Sequence, residues 1–486
     1  MKVLMTGNEA VAQGAYEAGV QFAAAYPGTP STEILENISL RKEITAEWAP
    51  NEKVAVESAF GASLAGARAL TAMKHVGLNV AADPFFTIGY TGINGGMVLV
   101  NADDPGLHSS QNEQDNRYYA RMAKVAMLEP SNSQESKDMV IRAMEISEKY
   151  DVLVMLRMTT RVCHSKSVVE TGERIEVPVK PYVKTPPKYI MAPANAKAAH
   201  IVVEKKLEEL EKFSNETELN YIEWNDKKIG VISAGVAYQY AKEVFSSSAS
   251  YLKLGFTFPL PMEKIKKFAE EVETLYVIEE LEPFMEEQIK AAGIKCIGKE
   301  KIPNTWELNP DIVKKSIFGT ENEIIDYDRT IAVGRPPTLC AGCPHRAFFY
   351  QLSKKKNTIV TGDIGCYTLG GAPPLNTMDT TICMGASISM AHGAKKVFER
   401  NNDNKRVVAV IGDSTFFHSG MTSLLDVVFN KGNTITCILD NRITAMTGHQ
   451  DNPGTGYTLQ GEITDTVQVE PIVRALGIKH IKTVNP

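Results

Sequence analysis

An α/β protein of three domains with mainly parallel sheets is what this sequence predicts, on three observations. Short, nearly continuous apolar runs alternate with helical patterns in three separate stretches, the rhythm of buried parallel strands crossed by helices. A proline-rich and charge-rich stretch interrupts that rhythm after the first block. The 486 residues also exceed what one hydrophobic core usually serves.

The first block, 1–165, carries strand patterns at 22–27, 43–49, 78–83, 96–103, 124–128 and 151–158. Between them "NEKVAVESAFGASLAGARALTAMKH" (51–75) and "SQESKDMVIRAMEISEKY" (133–150) read as helices. Residues 166–225 form a linker: "VPVKPYVKTPPKYIMAPANA" is extended, and "IVVEKKLEELEKF" is a charged helix. The second α/β block, 226–325, has strands at "KIGVISAG", "LKLGFTFP", "TLYVIEE" and "IKCIG". The third, 326–486, has strands at "NTIVTGDIG", "KRVVAVIGD" and "TITCILDN", separated by helices at 384–400 and 420–432.

Composition excludes several classes. A formal charge of −6 gives no electrostatic case for nucleic acid or an anionic membrane. No apolar run is long enough to span a bilayer, and "MKVLMTGNEA" is too short for a signal-peptide core. A cytoplasmic protein is expected, so its seven cysteines should not form disulfides.

The most informative stretch is "VVAVIGDSTFFHSG" (407–420). An apolar strand ends in Gly412-Asp413, then in small and hydroxyl residues that suit a helix start. The next strand ends in Asp440-Asn441. Parallel neighbours bring these ends to one edge of the sheet, where open α/β folds bind ligands. Asp413 and Asn441 then present hard oxygens of the kind Mg²⁺ prefers, and the helix start presents N–H groups for phosphate.

This pair resembles the Gly-Asp-Gly…Asn motif of thiamine-diphosphate (ThDP) enzymes, with Ser414 replacing the third glycine. "YPGTPSTE" (26–33), "VESAFGASLAG" (56–66), "RPPTLCAGCPHR" (335–346) and "CMGASISMAHG" (383–393) sharpen the match. Together they resemble the large subunits of indolepyruvate:ferredoxin oxidoreductases, within the ThDP-dependent 2-oxoacid:ferredoxin oxidoreductases, from Met1 to Pro486. The resemblance implies a pyrimidine-binding domain (1–165), a transketolase C-terminal-like domain (226–325) and a diphosphate-binding domain (326–486).

By the same resemblance Asp413, Asn441 and the carbonyl of Ile443 hold Mg²⁺. Thr29, Gly365, Cys366, Met384, Gly412 and Ser414 border ThDP. Glu57, in an otherwise apolar helix, is the catalytic carboxylate on the aminopyrimidine N1′; the plain alternative is a Glu on an exposed helix face. Thr29-Pro30-Ser31-Thr32 also reads locally as a helix start. The polar loop 101–117 offers His108, Ser109, Gln111 and Asn112 to a 2-oxoacid, and Arg117 to its carboxylate, unless it is merely surface. His345 and His418 lie inside motif stretches, where a structural role is the default.

Cys340, Cys343 and Cys366 have three readings: a zinc or structural pair, a redox pair, or ligands of a [4Fe–4S] cluster as in relatives. The family pattern needs a fourth cysteine far downstream, which this sequence does not offer. It also lacks the ferredoxin-like C-X-X-C-X-X-C runs. A shortened chain, or a variant relying on another subunit, is expected.

The implied activity is ThDP- and Mg²⁺-dependent oxidative decarboxylation of aryl 2-oxoacids, indolepyruvate first, to aryl-acetyl-CoA and CO₂. Ferredoxin takes the electrons, a small (beta) subunit is the partner, and a homodimer of this chain sits in an α₂β₂ assembly. The alternative is a non-oxidative ThDP decarboxylase releasing an aldehyde. A non-catalytic scaffold would not need Glu57, Asp413 and Asn441 together.

Overall fold

The computed structural model describes residues 1–323 and 328–485. The chain forms two compact units, 1–324 and 325–486. The expected boundary at 325/326 and the final Pro486 lie outside the described residues.

The first unit opens with β1 (Lys2–Thr6), β2 (Phe22–Ala25), β3 (Thr45–Trp48) and β4 (Ala69–Lys74). β5 (Met97–Asp103), β6 (Ala126–Leu128), β7 (Val154–Thr159) and β8 (Lys166–Glu170) follow. β1 and β8 pair antiparallel as a separate ribbon. Then come β9 (Asn220–Glu223), β10 (Ile229–Ala234), β11 (Ser250–Leu254), β12 (Phe256–Phe258) and β13 (Thr274–Ile278). Two sheets result, in orders β12-β6-β7-β5-β4-β2-β3 and β13-β10-β11-β9. All pairs are parallel except β12 with β6 and β9 with β11.

Strands β4 to β7 are almost wholly buried, which explains why their sequences read as continuous apolar runs. A single core joins both sheets: Met73, Phe85 and Leu99 belong to the same cluster as Ile232, Leu252 and Phe284.

Four segments differ from the sequence reading. The helix begun at Glu52 ends at Leu64, and β4 occupies what 51–75 was expected to continue. Gly66 adopts φ +102°, a backbone that stops a right-handed helix. Residues 78–83 are helical rather than a strand, in helices His75–Val80 and Ala82–Thr91. A short apolar run cannot tell the two apart. "LKLGFTFP" is two strands in different sheets, broken at Gly255. A Cβ there would lie 2.8 Å from the Leu219 carbonyl oxygen, which accepts the Gly255 N–H. "IKCIG" contributes one bridge, Ile297 to Tyr276.

The linker helix runs Pro193–Glu216. The helix Ser133–Tyr150 matches its expected span, set by the Asn132 side chain accepting from Glu135 N–H and by Asp151 at φ +54°.

The second unit contains β14 (Thr358–Thr361), β15 (Arg406–Gly412) and β16 (Ile435–Leu439), all parallel with β15 central. Among the described residues no helix is long and apolar enough to cross a membrane.

Candidate active site

In the second unit the carboxyl ends of β14, β15 and β16 meet at one edge. Asp413, the first residue after β15, is 2 % exposed. One carboxylate oxygen accepts from Asn452 Nδ2 at 2.9 Å. Burial pushes this carboxyl above its ordinary value, the Asn452 amide opposes the shift, and Asp440 adds to it.

The other carboxylate oxygen faces Asn441 and Ile443. Asn441 Oδ1 lies 3.1 Å from Asp413 Oδ1 and 3.0 Å from the Ile443 carbonyl oxygen. The Asn441 amide can stand in either of two orientations here. With the amide turned over, Nδ2 donates to both oxygens. With Oδ1 inward, it faces both oxygens and accepts only from Ile443 N–H, at 3.3 Å. Adjacent corners of an octahedron with Mg–O of ~2.1 Å are about 3.0 Å apart, so the second arrangement fits a Mg²⁺ corner.

The turn after β14 is pinned to β15. Tyr367 Oη donates to the Ile364 carbonyl at 2.7 Å and shares a 2.5 Å hydrogen bond with Thr415 Oγ1. This places Gly365 and Cys366 beside Gly412, whose missing side chain admits the Tyr367 ring: a Cβ would be 2.3 Å from Tyr367 Cε1. Gly412→Ala should therefore cost about 1–3 kcal/mol by overpacking, readable as a lower urea midpoint.

Ser414 Oγ bonds Thr444 Oγ1 at 2.8 Å, tying the β15 and β16 loops. Asp363, fully buried, accepts from Gly385 N–H at 2.7 Å and Ser387 N–H at 3.0 Å. It thereby fixes the start of the helix Ala386–Arg400, directly after Met384. Burial raises the Asp363 carboxyl despite those bonds. Sequence reasoning missed Asp363 and Asn452. "GDIG" repeats the Gly-Asp pattern at a strand end and was the available signal for Asp363; Asn452 had none.

The cysteines do not form a metal cage. Cys340 is exposed, Cys343 and Cys366 are half-buried, and all are free thiols. Burial, then the neighbouring Cys340 and Cys343, raise the Cys366 thiol. Among the described residues no three His, Cys, Asp or Glu side chains converge as metal ligands would. An iron–sulfur cluster does not fit these thiols as arranged.

In the first unit, β2, β4 and β5 also end at one edge. Thr29 is half-buried in the loop after β2. The helix there starts at Thr32, later than "TPST" suggested, because the Ser31 hydroxyl donates to the Gly28 carbonyl instead of capping. Ser109 N–H and Ser110 Oγ both donate to one Asp104 oxygen, at 2.8 and 2.7 Å. His108 is exposed beside the Glu307 carboxylate. Glu57 lies on the exposed face of its helix and pairs with Lys53.

Arg117 is a correction. Its side chain is 1 % exposed, and its donors are committed to Asp115, Glu279 and the carbonyls of Glu280 and Glu282. Enclosed by these acceptors and shut off from solvent, it is out of reach of a substrate carboxylate.

Comparison with known proteins decides the family. A chain named indolepyruvate oxidoreductase subunit IorA from Archaeoglobus fulgidus is 41% identical over 519 aligned positions, covering 100% of this chain and 82% of that one. This chain belongs to the indolepyruvate oxidoreductase large-subunit family. The Pyrococcus abyssi member is 42% identical, covering 100% of this chain and 81% of its own. Within the family frame, residues 13–219 match the ThDP-binding region of pyruvate flavodoxin/ferredoxin oxidoreductases. Residues 363–486 match the C-terminal thiamine-pyrophosphate-binding domain. The fold is shared with a 2-oxoglutarate:ferredoxin oxidoreductase from Magnetococcus marinus, solved with 2-oxoglutarate, coenzyme A and succinyl-CoA. Their TM-score is 0.55 at 16% identity, covering 65% of this chain and 64% of that one. A large subunit of an oxidoreductase with ThDP-binding domains is thus what this family membership establishes.

Proposed function

We propose that this chain, with a small subunit, oxidatively decarboxylates aryl 2-oxoacids, indolepyruvate foremost, passing electrons to ferredoxin and the acyl group to coenzyme A. The oxygen cluster of Asp413, Asn441 and Ile443 carries the reading, since it suits the Mg²⁺ that bridges to a diphosphate. ThDP, when bound, supplies an electron sink for the pair released as CO₂ departs.

The chain's own residues do the rest. Asp413 and Asn441 hold Mg²⁺ through side chains, and Ile443 through its carbonyl. The backbone at Gly412 to Ser414 and at Gly365 and Cys366, together with Met384, would hold ThDP. Glu57 would hold a proton at N1′ of the aminopyrimidine, Thr29 would border ThDP, and His108 and Ser109 border the substrate. Residues 1–165 form the pyrimidine-binding domain and 226–325 the transketolase C-terminal-like domain, with 166–225 as linker. A homodimer within an α₂β₂ assembly in the cytoplasm completes the picture. The thiols of Cys340, Cys343 and Cys366 take no part in electron transfer in this reading.

The test is anaerobic assay of the chain with small subunit, ThDP, Mg²⁺, indolepyruvate, coenzyme A and ferredoxin. Indoleacetyl-CoA and CO₂ in equal amounts, with two electrons delivered to ferredoxin per CO₂, are expected. Steady indoleacetaldehyde from the chain alone would make it a non-oxidative decarboxylase and overturn the proposal.

A further inference from the structure

Lys74 ends β4, between the loops that follow β2 and β5, its two parallel neighbours. Its aliphatic stem runs against Gly28: a Cβ at that position would lie 3.1 Å from Lys74 Cγ and 3.2 Å from Cδ. Its ammonium donates to the Ser109 carbonyl at 2.8 Å. The charge is therefore held between the segment carrying Thr29 and the loop carrying His108 and Ser109. These are the segments that ligands reach at the carboxyl edge of a parallel sheet.

The surrounding charges leave this ammonium incompletely matched. Asp104 and Glu52 attract it through space. One Asp104 oxygen is already occupied by Ser109 N–H and Ser110 Oγ, and the other accepts from Thr160 Oγ1 at 2.6 Å. Of three N–H bonds, one has an acceptor among the described residues. The other cations at this edge cannot serve. Arg117 and Arg157 are buried among carboxylates. His75 is fully buried, donates through Nε2 to the oxygens of Asn112, and is pushed by burial toward its neutral form.

From this placement we propose that Lys74 receives the carboxylate of the 2-oxoacid, the role that Arg117 is too enclosed to fill. The inference rests on the 2-oxoacid reading above. Its chemistry sets the kinetic signature. The carboxylate loses its charge as the C–C bond breaks, so an ammonium gripping it favours the bound substrate over the transition state. Removing that ammonium should raise KM and leave kcat unchanged or higher.

Protonation gives a second signature. Burial lowers the Lys74 ammonium to about 8, against the opposing pull of Asp104 and Glu52. Substrate binding needs the charged form, so kcat/KM should fall as pH rises through that value. An arginine stays charged throughout, so the alkaline limb should vanish in Lys74→Arg.

The experiment uses the assembled enzyme with small subunit, ThDP, Mg²⁺, coenzyme A and ferredoxin, with indolepyruvate and phenylpyruvate as probes. Lys74→Met should raise KM for both by roughly 10- to 100-fold, with kcat within about threefold. ThDP binding and the melting temperature of each variant are measured alongside. Lys74→Arg should keep a near-native KM and lose the alkaline limb, which a lysine that only braces the Ser109 loop would not produce. An unchanged KM in Lys74→Met, or an unmoved limb in Lys74→Arg, overturns the assignment. A wild-type enzyme that turns over neither acid overturns the 2-oxoacid reading itself.

Discussion

Asp413→Ala should abolish the rise in melting temperature that Mg²⁺ and ThDP give the wild-type protein, and with it all turnover. The reason is local. Asp413 is buried, its carboxyl is raised by that burial, and the Asn441 side chain reaches both its Oδ1 and the Ile443 carbonyl oxygen. A group whose folded pKa is raised favours the folded state in its protonated form. Its ionisation therefore costs stability as pH rises through the carboxylate range, and a divalent cation removes that cost. Ligands that bind only the folded state add about 2.7 kcal/mol at a hundredfold excess over Kd. For a unit of this size that corresponds to about 5 to 10 °C. Losing a direct metal ligand should weaken Mg²⁺ binding by more than about 100-fold, beyond the loss seen for outer-shell partners. Asp413→Asn separates binding from folding: it should melt no lower than wild type without cofactor, yet gain nothing when Mg²⁺ and ThDP are added. Acidification should likewise shrink the wild-type shift, since protons compete for the same carboxylate. A normal cofactor shift in either variant would remove Asp413 from the metal site.

Why this cluster was legible, and others were not, follows from the range of the forces involved. β15 and β16 are short apolar strands in sequence order, so "VVAVIGD" and "ITCILDN" announce two loops at one sheet edge without further information. Lys74 was hidden for a local reason. The small residues of "GASLAGARALTAMKH" suit a helix, and only the left-handed Gly66 marks where the strand must begin. The break at Gly255 depends on Leu219 and on pairing with β6, neither of which neighbours it in sequence. Glu57 is a different case. Its helix is apolar on most sides, so nothing in its periodicity distinguishes the exposed position it takes in this chain from a buried one. Arg117 was misread because a polar loop looks the same whether its arginine faces solvent or acceptors. The residues that enclose it, Glu279, Glu280 and Glu282, come from the end of β13 far along the chain.

That enclosure makes Arg117→Met the substitution with the largest expected cost to the fold. The guanidinium contacts Asp115 at 2.5 Å and Glu279 at 2.6 Å, with both carboxylates nearly inaccessible. Removing one partner of a buried ion pair strands the other and typically costs about 3–5 kcal/mol. Here two carboxylates are stranded, against a total stability of about 5–15 kcal/mol for a typical domain. Glu279 retains the N–H groups of Met285 and Glu286, and Asp115 retains the Arg117 N–H, so each keeps part of its solvation. The pH dependence follows from the present shifts. Asp115 now sits below its ordinary value, burial opposing and the Arg117 charge prevailing; Glu279 is already raised because burial outweighs the same guanidinium. Without Arg117 both should be raised. Raised carboxyls stabilise the fold at low pH and lose that contribution as pH climbs, so the deficit of Arg117→Met should narrow between pH 7 and the carboxylate range. Adding Asp115→Asn and Glu279→Gln to Arg117→Met should recover part of the loss at pH 7, because the stranded charges are gone. Urea unfolding read across pH measures both effects. In the fraction that remains folded, KM for the 2-oxoacid should stay near the wild-type value; a selective rise in KM without loss of stability would return Arg117 to the substrate.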